Sequence, residues 1–198
     1  MKIGIYGGSF NPPHNGHLYL AEEISRRLEL DRVIIIPSNI SPQKENNGNI
    51  DPIHRINMCK SVFDLPLFEV SDCEIARGGR SFTVDTLTYM KEQYPDSEFY
   101  LFMGSDMLLS FHSWYRFRDI LSMCTLCAIS RENEKKSDEL KIYAETVLTD
   151  GNVLIFDIEP IEVSSSEVRE KIKNGKSCNG LISEKTEKYI KENNLYGQ

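Results

Sequence analysis

Two histidines stand three residues apart in the stretch GGSFNPPHNGH, residues 7–17, which we call the histidine loop. The loop directly follows a short apolar run, Lys2 to Tyr6, that is typical of a β-strand. His14 and His17 flank Asn15-Gly16 where a helix is predicted to begin, so both imidazoles can face one space beside the helix's free N–H groups and the positive end of its dipole. Converging donors of this kind suit phosphoryl transfer, which requires alignment of the reactants and stabilisation of charge on phosphate oxygens.

The composition of the histidine loop narrows the kind of phosphate site it could form. Gly7 and Gly8 let the backbone approach a ligand without a Cβ in the way. The loop matches neither G-x-G-x-x-G of dinucleotide-binding folds nor G-x-x-x-x-G-K-[ST] of P-loops. A single histidine is most often an ordinary structural residue, and we expect this of His54 and His112. Two histidines in one glycine-rich loop favour a ligand-binding role instead.

A second candidate segment is SSSEVR at residues 164–169. Serines at a helix start donate through hydroxyls and backbone N–H groups, and Arg169 would add a charged fork for phosphate one turn later. Taken alone, the segment could equally be a capped helix with a surface arginine.

Gly104-Ser105-Asp106 follows a predicted strand, and the Asp106 carboxylate could either accept hydrogen bonds from a ligand or cap a helix. Cys124-x-x-Cys127 has no second pair and no nearby histidine, so burial in a strand is favoured over a metal or redox site.

Short apolar runs alternate with segments of helical periodicity. Strands are predicted at residues 2–6, 32–36, 99–103 and 125–130, and helices at 18–28, from the Asp51 cap, at 84–94, from about 164 to 175 and at 184–193. Residues 38–50 are expected to be a mobile polar connection, and residues 131–140 a charged surface connection into a helix. The alternation predicts an α/β fold with a doubly wound, mostly parallel sheet. Ligands of such sheets bind at the carboxyl ends of the strands, where the histidine loop begins.

Composition sets the class of protein. The 198 residues suit one domain spanning 1–198, with a helical C-terminal segment from about residue 164. A net charge of -7 without a basic run argues against a nucleic acid partner. No apolar run approaches the ~18 residues of a membrane helix, and Gly4 and Gly7 come too early for a secretory signal. Five irregularly spaced cysteines fit reduced thiols and therefore a cytoplasmic location.

The histidine loop resembles the G-x-F-D-P-x-H-x-G-H motif of the nucleotidyltransferase superfamily, whose H-x-G-H corresponds to the HIGH motif of class I aminoacyl-tRNA synthetases. The chain is most similar to the bacterial nicotinate-mononucleotide adenylyltransferases, and the resemblance runs nearly end to end. Asn11 departs from the usual aspartate. The resemblance implies a Rossmann-like fold and transfer of AMP from ATP to nicotinate mononucleotide, giving nicotinic acid adenine dinucleotide and pyrophosphate. It also implies Mg²⁺ that bridges phosphate oxygens, with no protein residue assigned as a metal ligand.

Further motifs carry this resemblance. SSSEVR resembles I-S-S-T-x-[IV]-R, and Pro42-Gln43-Lys44 stands where the family shows P-H-K. Residues 77–87 resemble R-x-G-x-S-[YF]-T-x-D-T-L. Ser113-Trp114 stands where the family shows [KR]-W. The implied catalytic residues are His14, His17, Lys44 and Arg169. The implied ATP-binding residues are Gly7, Gly8, Ser9, Phe10, His14, His17, Gly104, Asp106, Arg131, Ser164, Ser165 and Arg169. The implied nicotinate mononucleotide-binding residues are Ser9, Phe10, Lys44, Thr83 and Trp114, with Thr83 capping a helix and Trp114 beside the pyridine ring.

Three alternatives stay open at this point. A related adenylyltransferase could act on nicotinamide mononucleotide or another phosphate-bearing acceptor. A fragment of a tRNA-charging enzyme lacks support, because no K-M-S-K-S-like element is present and the charge is acidic. A nucleotide-sensing protein without catalysis would need the binding loops but not both histidines. ATP and nicotinate mononucleotide are the expected partners, no nucleic acid or membrane partner is expected, and a homo-oligomer is possible.

Overall fold

The computed structural model describes residues 1–42, 50–130, 134–159 and 161–197, with the backbone alone at 134–136. The strands are β1 (Lys2–Gly8), β2 (Arg32–Pro37), β3 (Phe68–Val70), β4 (Glu98–Gly104), β5 (Thr125–Ser130) and β6 (Val153–Asp157). The helices are α1 (Asn15–Leu28), α2 (Pro52–Val62), α3 (Cys73–Arg77), α4 (Thr83–Gln93), α5 (Ser105–Leu109), α6 (Phe117–Met123), α7 (Glu134–Val147), α8 (Ser165–Lys173) and α9 (Glu184–Glu192), with a 3₁₀ turn at Phe111–Ser113.

The described strands form one six-stranded sheet in the order β3-β2-β1-β4-β5-β6. Every neighbouring pair is parallel, which confirms the predicted α/β class. The order reverses direction between β1 and β4, where Ile5 pairs with Leu101 on one side and with Ile34 on the other. Loops leaving the carboxyl ends of β1 and β4 therefore diverge and open a crevice, the usual ligand position of this architecture.

Burial on both faces explains the continuous apolar runs of the central strands. In β2, Ile34 and Ile36 belong to one hydrophobic cluster and Val33 and Ile35 to another on the opposite face. Alternate side chains of a strand point to opposite faces, so helices on both sides are needed to exclude water from them. This two-sided core holds the carboxyl ends of β1 and β4 in fixed positions beneath the loops that follow.

Several short elements were not predicted from the sequence, namely β3, α3, α5, α6 and β6. Each is three to seven residues long, too short for a periodic pattern to stand out. Helix α7 begins at Glu134, so most of the segment expected to be a charged connection at residues 131–140 is helical. Its Glu, Lys and Leu residues are good helix formers, and this preference outweighs the surface character of the sequence.

The cysteine pair belongs to the core. Cys124 and Cys127 are both buried and free, and they belong to clusters on opposite faces of the sheet. The expected burial is confirmed for both, but only Cys127 lies in a strand, since Cys124 is the C-cap of α6 and precedes β5. Within the described ranges, no helix combines the length and apolar character required to cross a membrane.

Candidate active site

The histidine loop leaves β1 at the crevice. Gly8 ends the strand, and its carbonyl accepts the Ser38 N–H at 2.8 Å, which ties the loop to the end of β2. A Cβ on Gly8 would lie 3.0 Å from the Phe10 ring, so glycine permits the tight turn there. Phe10 is itself buried, with its ring 5.0 Å from the ring of His17 between centroids. The Phe10 side chain thus supports the loop from the core, and any ligand contact at this position would come from its backbone.

His14 and His17 form one stacked unit at the start of α1. Their ring centroids lie 3.5 Å apart with planes inclined by 26°. His14 occupies the N-cap position, and its backbone N–H donates to Nδ1 of His17 at 3.1 Å. Because Nδ1 accepts this bond, the neutral His17 ring carries its proton on Nε2. His17 therefore offers an N–H donor at Nε2.

The helix N-terminus is less open than the sequence suggested. The Asn15 N–H donates to the carbonyl of Leu181 at 2.9 Å, and the His17 N–H donates to the carbonyl of His14 at 2.9 Å. The expectation of free N–H groups beside both rings is therefore wrong for these two amides. A Cβ on Gly16 would lie 3.0 Å from Val163 Cγ1, so glycine allows α1 to start against the C-terminal segment. The positive end of the α1 dipole still lies beside the histidines.

The serine-rich segment at residue 164 meets the histidine loop. Ser164 is the N-cap of α8, and its hydroxyl accepts the Glu167 N–H at 3.1 Å, as the capping pattern predicts. The next hydroxyl, on Ser165, donates to the carbonyl of Pro12 at 2.8 Å. The two ends of the sequence are thus joined at the crevice.

Arg169 makes the second connection between these segments. Its Nη1 donates to the Asn11 carbonyl at 2.6 Å, and its Nη2 donates to Ser166 Oγ at 3.1 Å. These two bonds orient the plane of the guanidinium beside the loop. A guanidinium has five N–H donors, so the bonds made among described residues leave others for phosphate oxygens. Arg169 and the histidines lie on the same side of the molecule.

Gly104 is the last residue of β4, the strand adjacent to β1, and Asp106 lies just beyond it. Gly104 itself is the N-cap of α5, and Asp106 is the second residue of that helix. The alternative interpretation of Asp106 as a helix cap is therefore wrong. Its side chain is exposed at the same edge of the sheet as the histidine loop, across the point where the strand order reverses.

Thr83 and Trp114 lie on two segments that meet through their neighbours Phe82 and Tyr115. Thr83 is the first residue of α4 and Phe82 is the N-cap, so the prediction that Thr83 caps this helix is wrong. The Phe82 ring lies 4.7 Å from the ring of Tyr115, beside Trp114. Trp114 is half-buried against Phe111, and its buried Nε1 has no hydrogen-bond partner among the described residues. These contacts bring the segment at 82–83 and the segment at 114–115 together.

Two predicted site residues cannot be placed. Lys44 lies within residues 43–49 and Arg131 within residues 131–133, both outside the described part of the chain. Ser113, which stands where the family has a cation, donates its hydroxyl to the Ser110 carbonyl at 2.6 Å.

Arg55 was missed from the sequence. It is 1% exposed, and its Nη1 donates to the Ser38 carbonyl at 2.6 Å and to the Ser9 carbonyl at 3.0 Å. Burial lowers the pKa of the Arg55 guanidinium, while Cys59, Tyr196, Asp51 and Glu74 act to raise it. An arginine stays protonated in proteins, so a buried positive charge lies directly behind the loop. One sequence feature could have revealed this residue: the spacing of Arg55, Cys59 and Val62 places the arginine on the buried face of α2.

Glu74 is a second buried charged group behind the site. Its Oε1 accepts the Thr86 hydroxyl at 2.6 Å, and Arg77 Nη2 donates to the same hydroxyl oxygen at 3.2 Å. Burial raises the pKa of the Glu74 carboxyl, and hydrogen bonds from Thr86 and Ser81 together with the charge of Arg77 oppose this. Ser81 Oγ in turn accepts the Asn39 N–H at 2.8 Å. This network joins the block at residues 77–87 to the end of β2.

The chain is similar to known proteins along almost its whole length. Residues 5–171 match the model of the cytidylyltransferase-like family. The nicotinate-nucleotide adenylyltransferase of Bacillus subtilis (strain 168) is 35% identical over 196 residues, which cover 98% of each protein. Two structures of Plasmodium falciparum nicotinic acid mononucleotide adenylyltransferase share the fold. The complex with NaAD has a TM-score of 0.78 and 23% sequence identity, and the match covers 98% of this chain and 97% of that one. The complex with APC has a TM-score of 0.76 and 22% sequence identity, and the match covers 98% of this chain and 96% of that one.

Proposed function

The chain belongs to the cytidylyltransferase-like family and, within it, to the nicotinate-nucleotide adenylyltransferases, and we propose how its residues transfer AMP from ATP to nicotinate mononucleotide. A phosphate oxygen of the mononucleotide attacks the α-phosphorus of ATP. The bond from that phosphorus to the bridging oxygen breaks, and pyrophosphate leaves as nicotinic acid adenine dinucleotide forms. The observation that best supports this assignment is the meeting of the stacked histidines with Ser165 and Arg169 at one loop.

The histidine loop supplies the donors for the reacting phosphate. His17 Nε2–H and the imidazole of His14 stabilise the charge that develops on the α-phosphate oxygens. The backbone at Gly7, Gly8, Ser9 and Phe10 lines the nucleotide. The buried charge of Arg55 lies behind Ser9 and adds a fixed positive potential, which strengthens the hold on an anion without a mobile side chain.

The leaving phosphates are held by the C-terminal segment. Ser164, Ser165 and Arg169 bind the β- and γ-phosphates, Ser165 through its backbone N–H because its hydroxyl proton is donated to Pro12, and Lys44 adds a cation from the segment after β2. Asp106 accepts hydrogen bonds from the ATP ribose hydroxyls beside Gly104, and Arg131 contacts the adenosine. Since no step requires a covalent enzyme intermediate, alignment and charge account for the contribution of these residues.

The acceptor's pyridine ring belongs at the group formed by Thr83 and Trp114. The indole of Trp114 offers an aromatic plane for stacking. Helix α4 begins at Thr83, so its N-terminal amides and dipole favour a carboxylate there. Ser113 is already bonded to Ser110, which leaves discrimination between the acid and the amide to these backbone groups.

The residues around the loop would leave a divalent metal to be held mainly by the nucleotide. Among the described residues, no group of three His, Cys, Asp or Glu side chains could hold a metal ion. The donors around the loop are cationic or N–H groups, which suit phosphate oxygens better than a bare cation. Mg²⁺ bound to those oxygens would neutralise charge on the triphosphate, a task for which it needs few protein ligands.

The decisive experiment measures pyrophosphate release by the pure protein with ATP, Mg²⁺ and nicotinate mononucleotide. We expect turnover that stops when the metal is chelated and resumes when Mg²⁺ is restored. Replacing the acceptor with nicotinamide mononucleotide in a parallel reaction measures the preference for the acid. Absence of pyrophosphate with either acceptor, from protein that remains folded, would refute the assignment.

A further inference from the structure

The residues just beyond α9 are anchored to the rest of the molecule by a small third core. Helix α9 ends at Glu192, and Leu195 is buried with residues from α2, α8 and the connection between α8 and α9: Met58, Val168, Cys178 and Ile182. The backbone amide of Leu195 donates to the Ile190 carbonyl at 3.0 Å. This packing fixes the direction of the residue that follows.

That residue, Tyr196, reaches the histidine loop. Its φ of 61° lies in the left-handed region, which bulky L residues rarely adopt. In this conformation its hydroxyl donates to Asn11 Oδ1 at 2.5 Å. Burial raises the pKa of the Tyr196 phenol, although the charges of Arg169 and Arg55 oppose the shift, so the hydroxyl keeps its proton and stays a donor.

Asn11 is the point where two C-terminal residues, Arg169 and Tyr196, hold the loop. Its side chain accepts from Tyr196, while its carbonyl accepts from Arg169 Nη1 at 2.6 Å. Asn11 is 4% exposed and lies three residues before His14. A shift of Asn11 would therefore displace both the guanidinium bonded to it and the backbone that leads to the stacked histidines.

We propose that Tyr196 is a positioning residue for the adenylyl transfer, acting through Asn11 on Arg169 and on the histidines. This inference rests on the proposed function. We assign Tyr196 no contact with a substrate. Its hydrogen bond fixes the loop in the geometry that stabilises the transition state, so its loss lowers turnover more than it weakens substrate binding.

The test compares Tyr196→Phe with Tyr189→Phe. Tyr189 lies on α9, and its hydroxyl makes two hydrogen bonds of 2.9 Å, one with His54 Nδ1 and one accepted from Asn57 Nδ2. Both variants lose one phenol hydroxyl from the same end of the chain. We expect kcat to fall about tenfold in Y196F with KM for each substrate changed less than about threefold, and Y189F to keep wild-type kcat. Thermal unfolding of both variants measures any general loss of structure.

A double-mutant cycle identifies the route of the effect. If Tyr196 acts through Asn11, Tyr196→Phe should lower kcat much less in an Asn11→Ala background than in the wild type. Additive effects, or equal kcat in Y196F and Y189F, would overturn the proposal. Because each result is scaled to wild-type turnover, an inactive wild type would refute the proposed function, whereas an active wild type with an unaffected Y196F would refute only this inference.

Discussion

Replacing His17 by asparagine separates the two tasks of its ring. Asparagine Oδ1 takes nearly the place of imidazole Nδ1 and can still accept the His14 N–H that is now bonded at 3.1 Å. No atom of asparagine replaces Nε2–H, the donor assigned to the α-phosphate. His17→Ala removes both groups. The two variants should therefore lose turnover equally while differing in stability.

The expected magnitudes follow from these contacts. Loss of one preorganised donor to a developing oxyanion typically lowers kcat by about 10²–10³, or roughly 3–4 kcal/mol. Loss of the acceptor that caps the start of α1 should lower the free energy of unfolding of His17→Ala by about 1 kcal/mol relative to His17→Asn.

Pyrophosphate release at saturating substrates and urea denaturation measure the two effects. His54→Asn is the matched control, because the Nδ1 of His54 is also hydrogen-bonded, to Tyr189, but lies outside the loop; we expect its turnover to match wild type. If His17→Asn retained more than about a tenth of wild-type turnover, His17 would not supply the donor that we assign to it.

Other variants and reagents test further parts of the structure. Arg169→Lys cannot keep both the bond to Asn11 and the bond to Ser166, so we expect kcat/KM for ATP, measured by initial rates, to fall about tenfold. An unchanged kcat/KM would contradict the role assigned to the Arg169 guanidinium. Burial raises the pKa of the Glu74 carboxyl, so the folded state binds its proton more tightly than the unfolded chain does. As the pH rises above about 4.5, the free energy of unfolding of the wild type should therefore fall relative to that of Glu74→Gln, measured by urea denaturation across pH. A difference that stays constant with pH would refute this. Burial also raises the pKa of the Cys124 thiol, to about 12, and the pKa of the Cys127 thiol. Both thiols should therefore resist thiol reagents at neutral pH until the protein is denatured. Rapid labelling of the folded protein would contradict their place in the core.

The sequence predicted the frame of the molecule well. The strands at residues 32–36 and 125–130 and the helix capped by Asp51 were confirmed because strong local signals define them: β-branched runs and a cap followed by proline. The short strand β6 was missed because five residues at the sheet edge, only partly buried, carry little periodicity. The single-domain organisation, the cytoplasmic location and the homo-oligomer stay predictions.

The site was predictable only where a motif marks it. The motifs named His14, His17, Ser165 and Arg169, but their roles remain a proposal. Arg55 carries only the weak signal of its place on the buried face of α2, and Tyr196 carries none, because their importance comes from carbonyl and amide oxygens far away in the sequence. A buried arginine looks like any helical cation until the fold brings Ser9 and Ser38 to it. Long-range hydrogen bonds of this kind leave no pattern in neighbouring residues.

The histidine loop is held by partners that the ribosome delivers much later. Pro12 and Asn11 accept bonds from side chains that lie 153, 158 and 185 positions further along. Translation runs from the N-terminus, so a nascent chain can finish the whole sheet, which ends at Asp157, before these last bonds can form. A copy interrupted by a premature stop codon after that strand would lack Ser165, Arg169 and Tyr196, so we expect it to leave cellular ATP untouched.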